Sequence, residues 1–259
     1  MIARLEVDDV LLAFVPERFA EMRGLVTQLV STPCSLWLVP DHFSLLFYGA
    51  TVEDLGGLAM VSLKVPTLTD QQRLMKRAFD LVVASALLVV SAPLLVLISA
   101  AIRLTSSGVV VFRQQRVAEN GRLFWMYKFR SMVEGALPPP LESHKPERDP
   151  RVTWVGRLLR RTSLDELPQL LNVLKGDMSL VGPRPELPAL VERYEPWQRQ
   201  RFAVPQGMTG WWQVRGRSTR PMHLHTEDDL YYVKHYSLFL DLQILLRTFV
   251  VVLRGRGAY

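Results

Sequence analysis

Residues 81–102 read LVVASALLVVSAPLLVLISAAI, an apolar run without a single charge. At about 1.5 Å per residue, one helix of this length reaches roughly 33 Å, enough to cross the hydrocarbon core of a bilayer. Two features argue against a simple crossing. Ser91-Ala92-Pro93 lies at the midpoint, where a proline removes a backbone donor and collides with the carbonyl four residues earlier, so the helix should bend or break. Both flanks are basic, with Lys76 and Arg77 before the run and Arg103, Arg113 and Arg116 after it. Positive residues favour the cytoplasmic side, and here both ends ask for that side. A helix that dips in, breaks at Ser91 to Pro93 and returns satisfies both ends. A straight span with a tolerated proline is the alternative that the residues leave open.

Outward from this run, the chain of 259 residues has room for one catalytic domain and a smaller unit. Its net charge of +6 points to an anionic partner, whether nucleic acid, an anionic membrane or a phosphorylated substrate. Cys34 is the only cysteine, which excludes a disulfide framework and a thiolate metal site. Met1 to Val10 alternates acidic and apolar residues and does not read as a cleavable signal peptide. Val7 to Val15 and Ser35 to Val39 have the composition of strands, with helical periodicity over Glu17 to Leu29 between them. That order predicts a parallel pair, and no glycine-rich phosphate loop follows the first strand, so a structural or regulatory role is expected here. Pro66 to Gln72 reads as a linker, and Pro138-Pro139-Pro140 as a stiff point in a polar loop.

Beyond the apolar run the pattern is that of a mixed soluble domain. Val109 to Phe112 and Phe124 to Phe129 are strand candidates, and Arg157 to Arg161 is a basic helical turn. Leucines at 164, 167, 170, 171 and 174 have the spacing of one buried helix face. Leu238 to Leu253 is apolar but interrupted by Asp241, Gln243 and Arg247. That composition suits either a helix lying in a membrane interface or a core helix.

The densest polar cluster is Arg160-Arg161-Thr162-Ser163-Leu164-Asp165-Glu166. Ser163 followed three residues later by Glu166 has the spacing of a capping box. Adjacent carboxylates at a helix N-terminus would be kept ionised by the positive end of the helix dipole. An ionised Asp165 could attack phosphorus, and Glu166 could hold a divalent cation. Gly176 to Glu186 places Arg184 between two prolines, a rigid setting for a guanidinium that clamps phosphate. Gly207 to Arg217 joins glycines, paired Trp211 and Trp212, Arg215 and Arg217 in a loop suited to stacking on a base, to the headgroup level or simply to packing. His223-Leu224-His225 with Glu227, Asp228 and Asp229 lacks the four fixed ligands of a metal site and reads as a polar loop.

Taken in order, several stretches resemble the bacterial sugar transferase family, the polyprenyl-phosphate hexose-1-phosphate transferases or monotopic phosphoglycosyl transferases. They are Lys76-Arg77-Ala78-Phe79-Asp80, Phe112 to Val117, Tyr127-Lys128-Phe129-Arg130-Ser131-Met132, Arg161 to Glu166, Leu167 to Val173, Gly176 to Glu186 and Met208 to Arg217. The resemblance covers roughly Arg73 to Arg254. It implies a mixed, helix-rich α/β monotopic membrane enzyme with a re-entrant helix broken at Ser91 and Pro93, interfacial amphipathic helices and a small cytoplasmic catalytic domain. The expected organisation is a partial Rossmann-like remnant over 1–65, a linker over 66–75, the re-entrant helix over 76–103 and the catalytic domain over 104–259. The implied reaction carries a sugar 1-phosphate from a UDP-sugar to undecaprenyl phosphate, releasing UMP, at the start of exopolysaccharide, capsule, O-antigen or glycoconjugate synthesis. Asp165 would be the nucleophile, Glu166 with Asp165 the Mg2+ ligands, and Arg184, Arg116, Lys128, Arg130 and Arg215 the phosphate-binding residues. The bacterial inner membrane is the implied location, and a homodimer is an open expectation. A non-catalytic lipid-binding scaffold leaves Asp165, Glu166 and Arg184 without a role. A nucleic-acid-binding module leaves residues 81–102 unexplained, so no nucleic-acid partner is expected.

Overall fold

A computed structural model of the chain describes residues 9–13, 24–26, 29, 35–39, 51–55, 58–62, 67–136, 149–216 and 226–254. Pro138 to Pro140, Arg217, His223 and His225, all singled out above, lie outside those residues. The chain divides into two compact units, Met1–Lys64 and Val65–Tyr259.

In the first unit, β1 (Asp9–Ala13) and β2 (Ser35–Val39) pair in parallel, Asp9 opposite Ser35 and Ala13 opposite Val39. Helical backbone at residues 24–26 lies between them in sequence, so the strand, helix, strand order holds. A separate antiparallel pair follows, β3 (Thr51–Leu55) with β4 (Leu58–Ser62).

The second unit opens with α1 (Asp70–Thr105), 36 residues long and the one helix among the described residues long and apolar enough to cross a membrane. It begins inside the stretch that the sequence assigned to a linker. The reason is local: Thr69 Oγ1 accepts from Gln72 N at 3.2 Å while Gln72 Oε1 accepts from Thr69 N at 2.9 Å, a reciprocal capping box. Helical backbone continues through Ser91 and Pro93, where Ser91 Oγ donates to Leu88 O at 3.3 Å. Proline here leaves one hydrogen bond unmade without ending the helix. Val82, Val89, Val90, Val96 and Leu97 are exposed, whereas Ala84, Ile98 and Ile102 are buried against the rest of the unit.

Both ends of α1 are fastened to that same unit. Near its start, Lys76 Nζ donates to Asp241 Oδ2 at 2.7 Å and Val181 O at 2.9 Å, and Asp80 Oδ1 accepts from Leu180 N at 3.1 Å. Arg77 donates to Val173 O and Leu174 O. Near its end, Ile98 and Ile102 pack with Phe129, Val155 and Leu159. Arg130 Nη2 donates to Ser106 O, just past the helix, at 2.9 Å.

A hairpin follows, β5 (Val111–Val117) with β6 (Leu123–Phe129), Val111 opposite Phe129 and Val117 opposite Leu123. Its turn uses left-handed backbone at Asn120 and Gly121, with φ of 55° and 78°. The first strand begins two residues later and runs five residues further than its apolar signal, because Arg113-Gln114-Gln115-Arg116 carry strand backbone under a polar sequence. Next come α2 (Trp154–Thr162) and α3 (Gln169–Lys175), then β7 (Ser179–Val181), which pairs in parallel with β8 (Gly207–Thr209). A side chain at Gly182, Gly207 or Gly210 would collide with the backbone of the facing segment, so this close approach requires glycine. Short helices α4 (Pro188–Val191), α5 (Pro196–Arg199) and α6 (Trp211–Gly216) precede α7 (Glu227–Lys234) and α8 (Leu238–Arg254).

On α8, Phe239, Leu242, Leu246, Phe249 and Val250 form an exposed apolar stripe, while Leu240, Asp241 and Ile244 turn inward. The sequence marked Asp241 only as an interruption of that apolar helix. In the fold it is buried against Lys76.

Candidate active site

The site is set by how the chain leaves α2. Ser163 takes left-handed backbone, φ 58° and ψ 15°, and ends the helix. A single 3₁₀ turn then spans Leu164–Glu166. Pro168 stands immediately before α3, which begins at Gln169. The continuous helix expected from the leucine spacing is therefore divided, since Pro168 offers no N–H and would clash with the carbonyl four residues back. Leu164 and Leu167 pack on the cluster around Ile98 and Phe129, Leu170 is buried in the main core, and Leu171 is exposed. The capping box expected of Ser163 and Glu166 does not form, for Ser163 makes no side-chain cap and Glu166 turns away to two cations.

Those cations come from separate elements. Lys128, on β6, donates from Nζ to Glu166 Oε1 at 2.9 Å. Arg184, in the turn after β7, donates from Nη2 to the same oxygen at 2.6 Å and from Nη1 to Oε2 at 3.5 Å. Arg116 stands close by: its Nη1 is 3.5 Å from Glu186 Oε1, and its Nη2 donates to Gln114 Oε1 at 2.8 Å. Burial lowers Arg116 to about 10, against the opposing pull of Glu186 and with a contribution from Arg184, so it stays charged at neutral pH.

Asp165 is buried and makes no hydrogen bond or ion pair among the described residues. Burial pushes its carboxyl above the ordinary range, opposed first by Lys128 and also by Arg160 and Arg184, while Glu166 adds to the rise. The shift runs opposite to the one a helix dipole would give, because one 3₁₀ turn supplies little dipole and burial dominates. Lys128 is lowered, again chiefly by burial, against the pull of Glu166.

The arrangement is an unpaired buried carboxyl beside a second carboxylate that gathers two fixed cations, with a third cation adjacent. The family model described as Bacterial sugar transferase matches residues 71–255. This chain belongs to that family. Among similar members, the "UDP-glucose:undecaprenyl-phosphate glucose-1-phosphate transferase" of Escherichia coli K12 is 38% identical over 248 residues, covering 93% of this chain and 53% of the relative. The "Undecaprenyl-phosphate galactose phosphotransferase" of Salmonella typhimurium LT2 is 42% identical over 201 residues, 72% of this chain and 42% of the relative. The "Exopolysaccharide production protein ExoY" of Rhizobium meliloti is 38% identical over 198 residues, 71% of this chain and 88% of the relative. The chain thus spans about half the length of the first two relatives and most of the length of the third.

Within this family member, Asp165, Glu166, Lys128, Arg184 and Arg116 come together. Arg130 instead donates to Ser106 Oγ at 2.7 Å, at the end of α1. Arg215 pairs with Asp228 at 3.1 Å and lies over the ring of Trp211, which stacks on Tyr231. A small pocket opens beside Glu166, lined by Ser163, Thr209, Gln213, Thr248 and Val252, and lies between Glu166 and α8. Among the described residues no group of three or more His, Cys, Asp or Glu gathers as a metal cage. Two adjacent carboxylates nevertheless suit Mg2+, which binds through one or two carboxylates plus substrate phosphates and water. Reading the sequence residue by residue missed Arg201, which the fold places behind Arg184. It also dismissed Asp229 as loop, although Asp229 is the partner of Arg201.

Proposed function

We propose that the protein transfers a sugar 1-phosphate from a UDP-sugar to undecaprenyl phosphate in two displacements at Asp165. The observation that carries this reading is the unpaired carboxyl of Asp165 beside a Glu166 held by Lys128 and Arg184. It is supported by the names of the relatives, two of which are undecaprenyl-phosphate glucose or galactose phosphotransferases. In the first step an Asp165 oxygen bonds to the β-phosphorus of the donor. The bond from that phosphorus to the oxygen shared with the α-phosphate breaks, and UMP leaves with the electron pair. In the second step a phosphate oxygen of undecaprenyl phosphate bonds to the same phosphorus. The aspartyl oxygen departs, Asp165 is regenerated, and the product is a polyprenyl diphosphate sugar.

Such transfers need charge neutralisation and positioning more than covalent versatility. Lys128, Arg184 and Arg116 supply fixed positive charge where a diphosphate would lie. Mg2+ held by Glu166 and Asp165 would neutralise further phosphate charge when bound. Weak Mg2+ binding without donor is the expected calorimetric result, strengthened by UDP and weakened again in Glu166→Gln. Equal affinity with and without UDP would count against the assignment.

The exposed stripe on α8 and the apolar middle of α1 support a monotopic membrane enzyme. Lys76 and Asp80 at one end of α1, and Ile98, Ile102 and Ser106 at the other, all bind the same unit, which can occupy only one side of a bilayer. Together with basic flanks at both ends, this favours a re-entrant α1 bent near Ser91 and Pro93 over a straight span, with the catalytic unit on the cytoplasmic face of the inner membrane.

The nucleophile must be ionised, and burial raises the pKa of Asp165, so UMP formation should rise with pH through a midpoint above the ordinary aspartate range. A pH–rate profile flat down to pH 4 would contradict this. Arg184→Lys keeps the charge but not the fork, and turnover should fall about 10²-fold. Activity within twofold of wild type would remove Arg184 from the clamp. The reaction itself is tested by UMP release in lipid nanodiscs with Mg2+ and a panel of UDP-sugars. Repeated turnover that depends on undecaprenyl phosphate is expected, and silence across the panel from folded protein would refute it.

A further inference from the structure

Behind Arg184 lies a buried charge cluster that also reaches Arg116 through Glu186. Arg201, on the 3₁₀ turn Gln200–Ala203, is fully buried. Its Nη2 lies 2.6 Å from Asp229 Oδ2 and donates to the backbone oxygen of Arg184 at 2.7 Å. Its Nη1 donates to Tyr194 OH at 2.9 Å and lies 3.9 Å from Glu186 Oε2. Tyr194 OH in turn donates to Glu186 Oε2 at 3.3 Å. One guanidinium thus ties α7, the Tyr194 segment and the turn that carries Arg184.

Taking an Arg–Asp pair fully out of water is costly, and apolar residues of similar volume often stabilise a fold as well or better. What apolar residues cannot do is hold a particular carbonyl at a fixed point. Arg184 stands between Pro183 and Pro185, whose φ angles are fixed by their rings, so anchoring the Arg184 carbonyl sets the course of its side chain toward Glu166. The carbonyl of Pro183 is held as well, by Gly207 N at 2.8 Å.

We propose that Arg201 and Asp229 are positioning residues, a buried strut that aims the guanidinium of Arg184 at Glu166 and at the donor's phosphates. The inference rests on reading Asp165 and Glu166 as the reaction centre. A misplacement of about 1 Å at such a clamp can cost roughly 10²-fold in rate. Arg201→Lys keeps a charge for Asp229, but a single ammonium cannot reproduce the fork that reaches Tyr194 and the Arg184 carbonyl together.

The test is a double-mutant cycle with Arg184→Ala, read on kcat for UMP release and, by calorimetry, on binding of inorganic diphosphate. Arg201→Lys alone should lower kcat about 10- to 100-fold, with the donor KM within a few-fold of wild type. In the Arg184→Ala background it should add nothing to the loss of kcat or of diphosphate binding. Any loss of thermal stability it causes should appear equally in both backgrounds. Multiplying losses of kcat, or full activity in Arg201→Lys, would make the pair merely structural and overturn the proposal. If Arg201→Lys does not fold, Tyr194→Phe removes one of its hydrogen bonds, and its smaller loss should vanish in the same background. The diphosphate arm needs no turnover, so a wild type inactive on every donor would refute the function while the cycle still decides on the strut.

Discussion

Asparagine at position 165 should abolish turnover, by roughly four orders of magnitude or more, while leaving the fold intact. The amide has nearly the shape of the carboxyl but cannot form the bond to phosphorus, so neither displacement can begin. Stability should move the other way. A buried carboxyl whose folded pKa is raised holds its proton more tightly in the fold. Its contribution favours folding below the unfolded pKa and is lost as pH rises through the folded one. At neutral pH the ionised Asp165 therefore costs stability, and Asp165→Asn should melt at the same temperature as wild type or higher. A variant that loses activity because it unfolds would show the opposite shift. Retained UMP release in a folded Asp165→Asn protein would remove Asp165 from the nucleophile's role.

The largest effect on stability is expected at Lys76. Its ammonium and the Asp241 carboxylate are both almost wholly buried at 2.7 Å, with Tyr232 OH and Val181 O completing the shell of Lys76. Lys76→Met leaves Asp241 buried without its counter-charge, a loss of about 3–5 kcal/mol. Thermal melting in nanodiscs measures it. Adding Asp241→Leu should restore much of that loss, because two apolar groups no longer leave a buried charge unpaired. A Lys76→Met protein as stable as wild type would mean that the start of α1 is not anchored through this pair.

What the sequence discloses follows what is local. The run over 81–102 is legible because length and lack of charge suffice, and Asp165-Glu166 and Arg184 stand out because their residue types cluster. The divided helix around Pro168 and the left-handed Ser163 are harder, since leucine spacing continues across a boundary that one proline creates. The pairs that hold the site are not local at all: Lys76 meets Asp241, and Arg201 meets Asp229, only through the fold. A signal existed for the first. A single acid in an otherwise apolar helix, as Asp241 is in α8, has to find a cation or face water, and Lys76 beside an apolar run is a natural partner. Asp229 offered none, because it is one of three consecutive acids of which the structure buries Asp228 and Asp229 against separate arginines.

A covalent sugar phosphate on Asp165 would be seen by intact-protein mass spectrometry after incubation with donor and Mg2+ but no lipid acceptor. The expected result is a mass increase equal to one sugar phosphate, one UMP released per enzyme, loss of the adduct on adding undecaprenyl phosphate, and no adduct in Asp165→Asn. Turnover in the presence of acceptor with no adduct and no UMP in its absence would mean direct transfer from donor to lipid, and the two-displacement mechanism would be wrong.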